Sequence, residues 1–205
     1  MDIAVGLVRA YLQLNGYFTI TEYPVVRKIG EGRYRSLTDV DVAGYHLPHG
    51  EPDFAPDPVL KVPEDRPDIL IGEVKEGLAM VNEAANDPEV VAKILKRFAG
   101  CSAAEAATAS RTLLARGEVD IRSGHRVRLV AFGNAREAPG AYLKILHAEV
   151  VAYVDRYIRE NWEIVRQAGS KDPVFGMMVL LAKARGLVPE TKGLRATPPR
   201  LRGRR

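Results

Sequence analysis

Glu73, Val74 and Lys75 close an apolar stretch that begins at Asp68, and Asp41 sits in an earlier β-prone stretch between Val40 and Val42. On a strand, residues two apart project to the same side, so Glu73 and Lys75 face one way together. If the strands carrying Asp41 and Glu73 are neighbours, two carboxylates and an ammonium converge on one spot. Such a group is costly to bury unless its charges are compensated. A divalent cation compensates them, because carboxylate oxygens, the backbone carbonyl of Val74 and water make the octahedral oxygen shell that Mg²⁺ prefers. Mn²⁺ accepts a similar shell. Lys75 could then orient or deprotonate a bound water and stabilise negative charge developing on a phosphate. The plainer reading of the same three residues is a salt-bridged strand pair on a solvated face.

Several other residues are candidates for accessory roles, each with a structural alternative. Asp39 shares a strand face with Asp41 by period and reads as a second ligand or as a solvated strand end. Glu22, on the first strand, reads as a further carboxylate or as a surface residue. His46 and His49 open a long loop and have the chemistry of an acid or base. Pro67-Asp68 reads as a strand-entry turn. Lys93, Lys96 and Arg97 are the body's best candidates for phosphate contacts, or else the solvated face of a helix whose other face carries Val91, Ile94, Leu95 and Phe98. His125, Arg126 and Arg128 form a weaker basic patch, and His147 with Glu149 reads as a capping or surface pair. Cys101 is the only cysteine, which excludes an intrachain disulfide and a cysteine-built zinc site.

The elements that must position these residues follow from periodicity. Ile3, Leu7, Tyr11 and Leu14 make a helical stripe, with Asp2 as cap and Asn15-Gly16 as stop. Strands are predicted over 17–26, 36–46 and 68–75, the last entered by an apolar run that suits a central place in a sheet. Between the second and third lies a connection with six prolines and six acidic residues from Pro48 to Asp68. Helices are predicted over 88–100 and 103–116, a short strand over 127–133, and helices over 141–162 and 173–186. That order predicts an α/β fold with a mixed sheet flanked by helices.

The 205 residues and 46% apolar content suit one folded domain, over residues 1–188. From Lys192 to Arg205 the chain carries six basic residues and no acidic one; without these six, 24 basic residues face 26 acidic, a net charge of −2. Basicity is therefore concentrated in a tail, 189–205, that is expected to be disordered and whose Arg200, Arg202, Arg204 and Arg205 could hold a polyanion close. No segment is apolar enough to span a bilayer, no cationic leader is evident, and the expected location is cytoplasmic without a membrane partner.

The leading helix, the strand from Thr38 to Ala43 and the strand from Ile69 to Lys75 together resemble the PD-(D/E)xK, or restriction-endonuclease-like, nuclease superfamily, with a Holliday-junction-resolvase-like or Mrr-like flavour. The resemblance covers residues 3 to 100. It implies an αβββαβ core and Mg²⁺- or Mn²⁺-dependent phosphodiester hydrolysis with DNA as the partner. It also implies metal ligation by Asp41 and Glu73, and a place for Lys75 at the attacking water. Three features depart from the pattern: no proline precedes Asp41, no acidic residue occurs from Ile3 to Thr21, and the proline-rich acidic loop stretches the distance from Asp41 to Glu73. Glu22 is the nearest carboxylate to take the place of a first-helix acid. The alternative is a non-catalytic nucleic-acid-binding or assembly module that retains the fold. A homodimer is also expected, because cutting both strands of a duplex often needs two sites, with the apolar helix from Val174 to Ala182 as its interface or simply as core packing.

Overall fold

The computed structural model describes residues 2–48, 55–168 and 171–189. His49, Arg200, Arg202, Arg204 and Arg205 lie outside the described residues. Helix α1 (Ile3–Leu14) starts where the Asp2 carboxylate accepts from the Ala4 amide at 2.7 Å. It leads into a long antiparallel pair, β1 (Phe18–Gly30) and β2 (Arg33–His46), followed by β3 (Asp68–Val74). Helices α2 (Pro88–Phe98) and α3 (Ala103–Arg116) come next, each with a side-chain cap from Asp87 or Ser102. Strands β4 (Glu118–Asp120), β5 (Arg126–Gly133) and β6 (Leu143–Leu146) precede α4 (His147–Glu160), α5 (Trp162–Ala168) and α6 (Pro173–Ala184).

The sheet runs β1-β2-β3-β5-β4, with β6 also on β5. β2 pairs antiparallel with both β1 and β3, while β5 is parallel to β3 and to β6, so the sheet is mixed. One face packs on α1, α4 and α6 through Tyr11, Leu70, Phe132, Val154 and Ile158. The other packs on α2 and α3 through Ile71, Val91, Leu95, Leu113 and Leu129. The expected mixed sheet between helices is present. Among the described residues no helix is long and apolar enough to cross a membrane.

Three local expectations change. β1 and β2 run a few residues further than 17–26 and 36–46, to a turn at Glu31-Gly32, because the backbone ladder between them continues past the core without needing a buried face. β4 is an extra strand, three residues long. The helix expected over 141–162 is instead β6, α4 and α5: Leu143 to Leu146 pair with β5, and the helix begins only at His147. The apolar residues of that short strand mimic a helical stripe when spacing alone is read.

Asp68 organises the amino end of β3. Its carboxylate is fully buried, and it accepts from Arg128 Nε at 2.9 Å, Arg126 Nε at 2.9 Å and the Tyr17 hydroxyl at 2.6 Å. Arg128, also buried, gives its remaining donors to the Leu60 carbonyl and the Tyr17 oxygen. Asp68 is thus more than a strand-entry turn, and Arg126 and Arg128 do not form a free basic patch. Every donor of this buried group has a partner, the condition under which such a network is tolerated. Removing one member leaves the other charge unpaired, so Asp68→Ala should lower unfolding stability by about 3–5 kcal/mol. Urea denaturation measures this, and a loss below about 1 kcal/mol, the level of an exposed pair, would contradict it.

Candidate active site

β2 and β3 are registered with Val42 opposite Gly72 and Ala43 opposite Ile71. One step beyond, Asp41 stands across from Glu73. The strand pair turns over at this point: Val40 packs in the core on the α2 side, whereas Val42 packs in the core on the α1 side. Residues two apart on a regular strand would share a face. The irregularity coincides with Glu22 of β1, whose φ of 53° is left-handed, a strained conformation for a residue with a Cβ. Asp41 meets the end of β3 there, its Oδ2 accepting from the Val74 amide at 2.8 Å.

Lys75 closes the group. Its Nζ lies 2.5 Å from Glu73 Oε1 and 3.8 Å from Asp41 Oδ2. Two carboxylates thus share one ammonium and the cluster keeps a net charge of −1. Burial pushes the Glu73 carboxyl above its ordinary pKa, the Lys75 hydrogen bond opposes that, and the Asp41 charge adds to the rise. Burial acts downward on Lys75, but the bond and charge of Glu73, with Asp41, outweigh it and raise its pKa. Lys75 is therefore a cation at neutral pH.

Asn82 completes the cluster and was not legible in the sequence. Its Nδ2 donates to Glu73 Oε1 at 2.6 Å and to Thr38 Oγ1 at 3.3 Å, while its Oδ1 accepts from the Ala85 amide at 2.7 Å. Asn82 thus heads the single-turn 3₁₀ helix Ala84–Asn86 and aims its other end at the catalytic candidate. The one sequence signal was a cap-forming residue ahead of a short helical turn. After Lys75 the chain folds back over the carboxyl end of β5: the Asn134 amide donates to the Gly77 carbonyl at 2.6 Å, and Ala79 to that of Ala135 at 2.8 Å. A Cβ at Gly133 would come within 2.5 Å of the Ala79 backbone nitrogen, so only glycine lets this strap cross.

The accessory candidates divide. Glu22 stands beside Asp41 in the β1–β2 register, yet its Oε1 accepts from the Asp2 amide at 3.2 Å, at the amino end of α1. Asp39 is exposed on β2. His46 is not brought to the cluster: it is buried at the far end of β2, opposite Asp68 and against the Tyr17 ring, five residues and about 17 Å along the strand. Lys93 donates to the Val26 carbonyl at 3.2 Å and Arg97 lies over the Tyr23 ring, so both brace β1, while Lys96 is exposed. His147 and Glu149 do not pair: Glu149 accepts from the Leu146 amide and from Arg136. The proline-rich connection joins the ends of β2 and β3 remote from Glu73. Its buried Asp57 accepts from the Tyr11 hydroxyl at 2.9 Å, which docks that part of the loop on α1.

Among the described residues no group of three or more histidine, cysteine, aspartate or glutamate side chains is set to hold a metal ion. The oxygen donors on offer are the two carboxylates, Asp41 and Glu73, with neighbouring backbone. No protein-family model, curated protein or solved structure matches the chain.

The raised Glu73 pKa has a signed consequence. Its stabilising share is fully present below the unfolded value, about 4.3, and is lost as pH rises through the folded value. Glu73→Gln removes that loss. Without divalent ions, the variant should therefore gain on wild type in urea denaturation as pH rises from 4 toward neutrality; parallel stability curves over that range would refute the perturbation.

Proposed function

We propose that the chain is a metal-dependent nuclease acting on DNA, with a restriction-endonuclease-like core. The observation that carries this reading is the convergence of Asp41, Glu73 and Lys75 at the carboxyl end of β3, with two acids to one cation. The succession of α1, an antiparallel β1–β2–β3 meander, helices and a parallel β5 supports it, since that is the order the superfamily core requires. So does the position, because ligands of open α/β sheets bind beyond the carboxyl ends of parallel strands.

The donor set fits Mg²⁺ or Mn²⁺: hard oxygen ligands from Asp41 and Glu73, a formal net charge of −1 with Lys75, and a backbone carbonyl on Val74, the residue between Glu73 and Lys75. Such an ion, when bound, supplies Lewis-acid polarisation of a phosphodiester and of water. The remaining chemistry belongs to the chain. Asp41, fixed by the Val74 amide, and Glu73, fixed by Asn82, hold their carboxylates without needing to reorganise. Lys75, held beside Glu73 and Asp41 as an ammonium, is placed to stabilise charge gathering on phosphate oxygens. Asp39, two residues before Asp41 on β2, and Glu22, beside Asp41 on β1, are further carboxylates along these strands.

The test is cleavage of single-stranded, duplex and branched DNA, and of RNA, with Mg²⁺, Mn²⁺ or EDTA. Lys75→Ala and Asp41→Asn should each slow cutting by about 10²–10³-fold, and EDTA should abolish it. Equal cutting by wild type and Lys75→Ala would refute the assignment. A folded protein that binds nucleic acid but never cuts would be the non-catalytic module.

A further inference from the structure

β3 pairs with β2 only from Val42 to His46, so residues 33–41 of β2 are paired to β1 alone. Beyond the level of Val74 the two strands continue as a two-stranded ribbon, residues 25–30 against 33–38, about 20 Å long, whose root packs on the α2 side through Val25 and Leu37 and whose tip, 28–35, projects. It leaves the sheet at the same end as Glu73 and Lys75. Its root is braced by Lys93 on the Val26 carbonyl, by Arg97 over Tyr23, and by the edge-to-face pair of Tyr23 and Phe98.

The ribbon's charge sets it apart from the rest of the fold. Arg27, Lys28, Arg33 and Arg35 stand on it against the single acid Glu31, in a chain whose body without the tail is slightly acidic. Arg27 is directly opposite Arg35 in the register, and like charges opposed across a strand pair repel. Arg27 finds Glu89 on α2 at 2.6 Å, but among the described residues Lys28, Arg33 and Arg35 make no ion pair. Ile29 and Tyr34 are exposed between them, Tyr34 across from Lys28. Arg33, Arg35 and Lys28, two guanidinium groups and an ammonium without ion pairs among the described residues, are stabilised on a projecting ribbon by an external array of anions.

We propose that this ribbon is a binding site for the phosphate backbone of double-stranded DNA, at the rim of the Asp41–Glu73–Lys75 cluster. The proposal deepens the nuclease reading by naming where that site grips its substrate, and rests on it only for the position of the cut. A two-stranded ribbon matches the width of the major groove, so it can lie against both flanking backbones. Arginine provides the bidentate fork that suits phosphate oxygens.

The full chain is titrated in EDTA, over a range of salt, with a fluorescent DNA duplex, a matching single strand and an acidic polypeptide. The ribbon variant Lys28→Ala/Arg33→Ala/Arg35→Ala is compared with Arg111→Ala/Arg116→Ala/Arg122→Ala, which removes as many cations from α3 and the loop beyond β4. The ribbon variant should bind duplex at least about tenfold more weakly at low salt, with a logarithmic salt slope shallower by about 2–3. The α3 variant should bind like wild type. Arg35→Glu alone serves as a second arm if the triple variant does not fold. Wild-type affinity and slope in the ribbon variant, equal losses in both variants, a loss confined to single strands or to the polypeptide, or no duplex binding by wild type would each overturn the proposal. Duplex binding through the ribbon with no cutting by wild type would sink the nuclease reading alone. Unchanged binding beside intact metal-dependent cutting would sink the ribbon alone.

Discussion

A carboxylate with no access to water, shared by two guanidinium groups and a phenol, fixes most of what lies around it. Asp68 joins the first residue of β3 to Arg126 and Arg128 of β5 and to Tyr17 after α1, and through Arg128 it reaches the Leu60 carbonyl. A buried charge of this kind is expensive in every register but one. A slip of one residue between β3 and β5 would separate Asp68 from both arginines and also turn each side chain of β3 to the other face. The network lies on the α1 side of the sheet at one end. Five residues along, the same constraint sends Glu73 to the other side and the other end, where Asp41 can meet it.

The two ends of β3 use charge in opposite ways. At Asp68 the cations outnumber the carboxylate and every donor is matched within the protein. At Glu73 the carboxylates outnumber the cation, and the surplus is on the acid side. The first arrangement is closed and serves the fold. The second can accept another cation and, on the nuclease reading, an anionic ester beside it. The proline-rich acidic loop belongs to the first end, because an antiparallel connection emerges where β2 finishes and β3 begins. Its described acids are therefore remote from the cluster and do not oppose an approaching phosphate.

What the sequence made legible was local and periodic. Alternation along 68–75 set Glu73 and Lys75 on one side, Asp2 marked the start of α1, and the order of elements predicted the mixed sheet. The nearness of Asp41 to Glu73 needed one further assumption, that their strands are neighbours, and the register satisfies it. Asn82 escaped because its role depends on the fold-back after β3, a tertiary feature with no period of its own. His46 looked close to Asp41 along the chain, but five residues of extended backbone carry it away. Arg128 looked like surface charge because its partner lies sixty residues earlier. The outer part of the ribbon, from 27 to 35, fell outside the expected strands, since polar strand pairs stripped of a buried face lose the alternation by which strands are recognised.

β1 is also the outermost strand of the sheet, thirteen residues long, with Phe18 and Ile20 exposed. An edge of that length and character normally invites another chain to add a strand. Here the middle of the strand resists such pairing. Pro24 has no amide hydrogen to offer, Glu22 is twisted into the left-handed region, and the pairing shifts between Val25 and Val26. The distortion that lets Asp41 reach the end of β3 thus also interrupts the template for fibrous self-association. A straightened β1, with Pro24 and the left-handed Glu22 replaced by strand formers, would lose that protection against aggregation along with the local turn-over at the acids.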